Sequence, residues 1–426
     1  NLCNILSSIH LSVLSNRRCA ETAIWGIPRD RISVMIVGHE KSGYPLASSK
    51  IINTFVGLEN FGAMDLDLNL FMQMLGIDST SSRERDFAGF LAGSLPTAKC
   101  SVSRYEVGDG TENLLLSWGK PEIVFCSHLD TVPPYIPPTV WKETDRGVTQ
   151  VEATPEALAQ AMGSGADLII KGRGSCDAKG QIFAMYSACR QLEAEGCTGF
   201  GLLLLAGEET GSFGAKSFRT AHPGGRVVIV GEPTDNRMVS ASKGTKSFQV
   251  TIKGKSFHSG YPQYGESAVE KFVDFMNRLR DTEFPEDPIL GKTTWNVGKL
   301  SSDNPQNILS PELSFRLYFR TTFTGDGEVC RLMESWKAED VQIKAFGGDT
   351  PMGYTVLDGF ETATVSFGSD APQLTNFQEK ILCGPGSILV AHTPFESIRL
   401  SDIRQAADNY VKMFRLLSAD TEPPKK

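Results

Sequence analysis

A chain of 426 residues is too long for one ordinary hydrophobic core, so length alone points to two domains. Hydrophobic residues at 40% and charged residues at 22% describe a soluble globular protein, and a net charge of -8 with no basic stripe argues against a nucleic acid or an anionic membrane as partner. Nine cysteines without a Cys-x-x-Cys pair suit reduced thiols in the cytoplasm better than a disulfide scaffold, and no apolar run reaches the roughly 18 to 20 residues of a membrane helix.

Residues 1–63 are set apart from the remainder of the chain. They begin at Asn1, carry Arg17 and Arg18 among the first twenty residues with no acid there, and are rich in serine. This composition fits a transit peptide, whereas Met64 fits a true start preceded by an unrelated extension. The second reading is preferred, with poor order expected over 1–63.

From Met64 the patterns are those of a folded chain. Leu66, Leu70, Phe71, Met74 and Leu75 fall at helical spacing, and so do Phe87, Phe90, Leu91 and Leu95, after hydroxyls at Ser79, Thr80, Ser81 and Ser82 suited to cap a helix. Strands are expected near Ser101 to Glu106, Asn113 to Trp118 and Glu122 to Ser127. The last is an apolar run that stops at His128 and Asp130, two residues apart and therefore on one side of the strand. Lys171 to Gly180 is a glycine-rich turn that delivers Asp177 to the start of a helix. Phe200 to Ala206 is almost wholly apolar and ends in Glu208 and Glu209, and Val227 to Val230 ends in Glu232. From about residue 240 to 349, alternating strands and two helices suggest a small α+β domain inserted into the first. After Met352 come Phe367-Gly-Ser-Asp370, then His392 in Leu389 to Glu396, then a closing helix through Ile403, Ala407 and Phe414.

His128, Asp177, Glu208, Glu209, Glu232 and His392 thus lie far apart in sequence, yet all at strand or turn ends. Ligands collect beyond the carboxyl ends of strands in open α/β sheets. Two imidazoles with several carboxylates are a donor set for zinc or a similar borderline cation. Five donors exceed one tetrahedral ion, whereas two ions sharing a bridging carboxylate would use them and leave one glutamate free as general base. His222 has no partner in this pattern and is read as structural.

These motifs, Ser127 to Pro133, Gly172 to Gly180, Gly207 to Thr210, Gly231 to Thr234, the His258 region and Ala391 to Pro394, appear in the order seen in the di-zinc amidohydrolases. That family includes acetylornithine deacetylase, succinyl-diaminopimelate desuccinylase, aminoacylase and glutamate carboxypeptidase, and the match runs from about Met64 to about Leu417. The resemblance implies an α/β fold: a mixed, mostly parallel sheet flanked by helices, formed by 64–239 and 350–426, with a lid or dimerisation domain at 240–349. It implies two zinc ions, replaceable by cobalt or manganese. Asp177 would bridge them, His128 and Glu232 would complete one site, and Glu209 and His392 the other. Glu208 would be the general base, and Asp130 would orient His128. His258 would act on the active site of a second copy in a homodimer. Asn307 and Arg320 would hold the substrate carboxylate, although the motifs around both depart from the family pattern. The function expected is hydrolysis of an N-acyl amino acid, as by the deacetylase or desuccinylase. A dipeptidase, carboxypeptidase or aminoacylase is the alternative, and a metal-dependent binding protein without turnover is the rival of another class.

Overall fold

In the structure, a computed structural model, residues 20–23, 35–38, 66–108, 110–145 and 147–419 are described. Strands β1 (Ala20–Ala23) and β2 (Met35–Gly38) pair antiparallel within a unit of their own, Asn1–Ala63. The transit-peptide and start-site readings of that segment otherwise lie outside the described residues.

Six strands build the central sheet of the second unit, Met64–Lys426. They are β3 (Ser101–Gly108), β4 (Thr111–Trp118), β5 (Ile123–His128), β9 (Phe200–Leu205), β10 (Gly225–Val230) and β18 (Phe377–Leu382), in the spatial order 18-10-5-9-4-3. The first four in that order run parallel, and β4 and β3 follow antiparallel at one edge. β5 and β9 are buried throughout, which is why they read as unbroken apolar runs. Successive side chains still alternate between faces. Ile123, Phe125, Leu202, Leu204, Val227 and Ile229 enter one core with α4 (Lys179–Ala194) and α8 (Leu400–Ala419). Val124, Cys126, Leu203, Val228 and Val230 enter another with Ala215 and Phe218 of α5 (Phe213–Ala221). Helices α1 (Leu68–Leu75), α2 (Arg85–Ser94) and α3 (Pro155–Met162) complete the first core.

The serine hydroxyls do not cap α2. Its N-cap is Glu84, with no side-chain cap bond. The backbone of 79–81 is used instead against the loop after β5, with Thr131 N donating to Ser79 O and Ser81 N to Thr131 O, both at 3.0 Å.

A second sheet was not anticipated. β6 (Thr139–Thr144), β7 (Gly147–Val151), β8 (Leu168–Lys171) and β19 (Ser397–Arg399) run antiparallel in the order 19-8-6-7. Pairing of Ser397 with Lys171 brings the turn that holds Asp177 beside the loop that holds His392.

The inserted segment has its own core. β12 (Gly244–Lys253), β13 (Thr294–Ser301), β14 (Glu312–Thr321) and β15 (Val341–Gly347) form an antiparallel sheet ordered 13-14-12-15. Phe248, Val250, Ile252, Phe315 and Leu317 pack with Phe275 and Leu279 of α6 (Ala268–Arg280) and Val329 and Met333 of α7 (Asp326–Ser335). A three-stranded sheet, β16 (Met352–Gly353), β11 (Met238–Ser242) and β17 (Thr362–Val365), lies where the chain enters and leaves this insert. The expected α/β fold with an inserted α+β domain is therefore present. No helix among the described residues is long and apolar enough to cross a membrane.

Candidate metal centre

Strand register assembles the rim. Val230 pairs with Cys126 and His128 with Leu205, so the residues beyond β10 and β9 emerge level with the end of β5. His128, Glu208, Glu209 and Glu232 are thereby gathered from three parallel strands at one edge. Asp177 comes from the turn before α4, and His392 from the loop before β19, at φ 62°, a left-handed conformation uncommon outside glycine.

Asp177 stands between the two imidazoles. Its Oδ1 lies 2.9 Å from Nε2 of His128 and its Oδ2 lies 3.3 Å from Nε2 of His392. Nε2 of His392 also lies 2.9 Å from Oε1 of Glu209. Donor atoms of His128, Asp177 and Glu209 all fall within 4.8 Å of one another. Nδ1 of His128 is closest to the carbonyl oxygen of Asp130, at 2.9 Å, with the Asp130 carboxylate at 3.5 Å. The main-chain carbonyl is thus the nearer group for setting the His128 tautomer.

The electrostatics ask for a cation. Burial raises the Glu208 and Glu232 carboxyls well above the usual range, and Asp177 adds to the effect on Glu232. Burial also pushes the buried Asp370 up to about 7. Burial works to raise the Asp177 carboxyl, but hydrogen bonds from both histidines together with their charge outweigh it and hold the group well below the usual range. His392 is pushed up to about 10 by Asp177 and Glu209. Desolvated acids crowded around two imidazoles require positive charge among them. The donor set of imidazoles and carboxylates fits a divalent metal, with hard and borderline donors.

The insert places the remaining candidates at its two ends. Ser259 N donates to Asn307 O at 2.9 Å, and His258 bridges to Ile308, so His258 and Asn307 share the tip beyond Lys253. Arg320 pairs instead with Thr245, at the base. Eight residue steps of paired strand separate Thr245 from Lys253, roughly 26 Å at about 3.3 Å per residue. Among the described residues, no hydrogen bond or ion pair joins His258, Asn307 or Arg320 to the rim. His222 is packed structurally, its ring stacked 4.8 Å from Phe218.

The peptidase dimerisation domain family matches residues 240–339, the insert. A protein of Aspergillus oryzae named as a probable carboxypeptidase is 30% identical over 410 aligned positions, covering 87% of this chain and 92% of the relative. A peptidase M20 domain-containing protein of Schizosaccharomyces pombe is 31% identical over 361, covering 81% and 83%. The chain belongs to the M20 peptidase family. Solved structures share the fold of this M20 peptidase. A tripeptidase of Staphylococcus aureus has a TM-score of 0.66 at 17% identity, over 83% of this chain and 98% of that one. An M20 metallo-carboxypeptidase of Sulfolobus solfataricus has a TM-score of 0.58 at 16% identity, over 83% and 99%.

An M20 peptidase is a metallohydrolase acting on amide bonds. Four residues to which the sequence patterns assign no role also sit at the rim. Glu84 and Asp370 are 1% and 2% exposed, each with one carboxylate oxygen unpartnered among the described residues. Arg173 and Glu396 form a buried ion pair beside Asp177. Asp370 and Glu396 stand in the stretches Phe367 to Asp370 and Leu389 to Glu396. Their signal was an acid in a glycine- or proline-broken loop, too common by itself to single out.

Proposed function

We propose that this M20 peptidase is a two-zinc carboxypeptidase or dipeptidase that cleaves short peptides with a free C-terminal carboxylate. Relatives named as carboxypeptidases favour this over the deacetylase or desuccinylase first expected. The observation that carries the reading is the Asp177 carboxylate, one oxygen turned toward His128 and the other toward His392. A bridging ligand needs that disposition. His128 and Glu232 would hold one ion and Glu209 and His392 the other, with cobalt or manganese able to substitute.

The ions would supply Lewis acidity, polarising the amide carbonyl and acidifying water. Glu208 takes a proton from the attacking water and returns it to the leaving nitrogen. Its desolvated carboxyl is held well above the usual range and so suits a group that must accept a proton and release it in one cycle. His258 of a second copy donates to the developing oxyanion, and Asn307 accompanies it from the same tip. Arg320, at the base of the chain's own insert, pairs with the substrate carboxylate. The separation of tip and base, roughly 26 Å along the paired strand, supports this division between two chains.

The side chains flanking His392 bear on substrate choice. Leu389 and Phe395 are 83% and 79% exposed on the same loop, and apolar groups beside a reacting centre favour an apolar substrate residue there. A substrate panel tests the proposal on the zinc-loaded protein: dipeptides and tripeptides with free C-termini, the same peptides amidated, and N-acetyl and N-succinyl amino acids. Cleavage of free-carboxylate peptides, lost on amidation, is expected. Turnover confined to the acyl amino acids would return the deacetylase reading, and no metal-dependent turnover at all would favour a binding protein.

A further inference from the structure

One buried ion pair ties together the loops that carry the candidate ligands. Nη1 of Arg173 donates to Oε2 of Glu396 at 2.6 Å, with the side chains 2% and 0% exposed. The other oxygen, Oε1, accepts the backbone N–H groups of Cys176 and Asp177, each at 3.0 Å. Nε of Arg173 donates to the carbonyl of Pro134 at 3.2 Å, and its backbone nitrogen to that of Ile136 at 3.0 Å. Gly172 N donates to the Glu396 carbonyl at 3.1 Å. Three segments meet at this pair: the loop after β5, just past His128 and Asp130; the turn that carries Asp177; and the loop that carries His392.

We propose that Glu396 and Arg173 are positioning residues of the metal centre. The Glu396 carboxylate fixes the Asp177 backbone and hence the aim of its side chain, while the Arg173 guanidinium locks that turn to the loops bearing His128 and His392. The proposal rests on the reading of those three residues as ligands. Stability alone is a poor reason for such a pair, because removing both charges from water offsets most of their attraction. Placement explains it better: Glu396 lies four residues from His392 and holds the peptide nitrogen of Asp177 itself, and partners that orient ligands in this way tune metal affinity.

The test uses the full chain, with zinc affinity measured by competition against a chromophoric chelator, peptide kinetics on the loaded protein, and thermal unfolding of the chelator-stripped protein. Glu396→Gln keeps an oxygen for the two N–H groups but turns a neutral amide to Arg173. It is expected to weaken zinc binding about ten- to a hundredfold and to lower kcat by a similar factor, with KM within about threefold. The metal-free midpoint should move little. Arg173→Lys keeps the charge but loses the planar fork that spans Glu396 and Pro134, and it is expected to move both readouts in the same direction by less. It carries the test should Glu396→Gln not fold. Zinc affinity and kcat equal to wild type in these variants, with or without a lower midpoint, would overturn the proposal and assign the pair to stability. A wild-type chain that takes up no zinc would instead overturn the ligand reading itself, before any variant is made.

Discussion

Asp130 holds Glu208 by its backbone, the Glu208 nitrogen donating to Oδ1 of Asp130 at 2.9 Å. Its other oxygen accepts from Glu209 N at 3.1 Å and from the Ser81 hydroxyl at 2.9 Å. One fully buried carboxylate next to His128 therefore aims both glutamates of the neighbouring turn. Asp130→Asn puts an amide NH2 where one of these donors needs an acceptor. We expect zinc affinity and turnover to fall about 10- to 100-fold, measured by chelator competition and peptide hydrolysis. Ser81→Ala removes only one hydroxyl donor and should cost a few-fold at most, about 1 kcal/mol.

Glu208 is assigned to proton transfer and not to holding metal. Glu208→Ala should keep the metal content of the wild type, read by atomic absorption after gel filtration, and lose about 10²- to 10⁴-fold in kcat. Loss of the metal together with activity would make Glu208 a ligand and leave the proton transfer to another group.

The candidate metal rim was legible because buried parallel strands read as apolar runs: Ile123–His128 ends in its histidine, and Phe200–Leu205 and Gly225–Val230 are followed within three residues by Glu208 and Glu232. The fourth parallel strand, Phe377–Leu382, escaped notice because Gln378, Glu379 and Lys380 interrupt it, as an edge position allows. The sheet of β6, β7, β8 and β19 was hidden for another reason. Its strands are three to six residues long, and β19 joins β8 from more than 220 residues away. The Arg173–Glu396 pair has the same character, since 223 residues separate its members and neither stands in a periodic pattern. Such long-range polar contacts arise from the fold and leave no local trace in the sequence.

If the insert of one chain serves the rim of another, two inactive variants should complement each other. Homodimers of His258→Ala and of Glu208→Ala each lack one essential group at both sites. A mixed dimer has one site with both defects and one with neither. Co-expression, or unfolding and refolding an equimolar mixture, should restore about a quarter of wild-type activity, since half the dimers are mixed and each has one intact site. Mixtures no more active than either parent would place His258 outside the partner's site.

Zinc binding is expected to displace protons from this rim. In the metal-free protein His392 is raised to about 10 by Asp177 and Glu209. Burial lowers His128, but its hydrogen bonds to Asp130 and Asp177 outweigh that effect and leave the imidazole well above its usual value. Both shifts favour the imidazolium form, and a ring must give up its second proton to bind a metal. Affinity is therefore expected to rise with pH, about tenfold per unit for each proton displaced, over the range in which the rings hold that proton. Calorimetry of zinc binding in two buffers of different ionisation enthalpy reads the proton release directly. Identical apparent enthalpies in both buffers would mean that binding displaces no proton, contrary to the raised position of the two imidazoles.

Gly180 lies in the first turn of α4, three residues past Asp177, where the helix backbone presses on the turn. A Cβ there would stand 2.3 Å from the carbonyl oxygen of Ser175 and 3.1 Å from Cδ1 of Ile398. The nearer atom belongs to the backbone, so it can yield only if the turn that carries Asp177 moves. Gly180→Ala is expected to destabilise the protein by about 1–3 kcal/mol and to weaken zinc binding with it. Gly89, exposed in α2 with nothing within 4 Å of an added Cβ, is the control. There alanine lowers the entropy lost on folding and should stabilise by about 0.5–1 kcal/mol, leaving zinc affinity unchanged. Denaturant unfolding of both variants, alongside chelator competition, separates the outcomes. A Gly180→Ala chain as stable and as tight for zinc as the Gly89→Ala chain would mean that the turn before α4 adapts freely, and that Asp177 is held in place by something other than the approach of that helix.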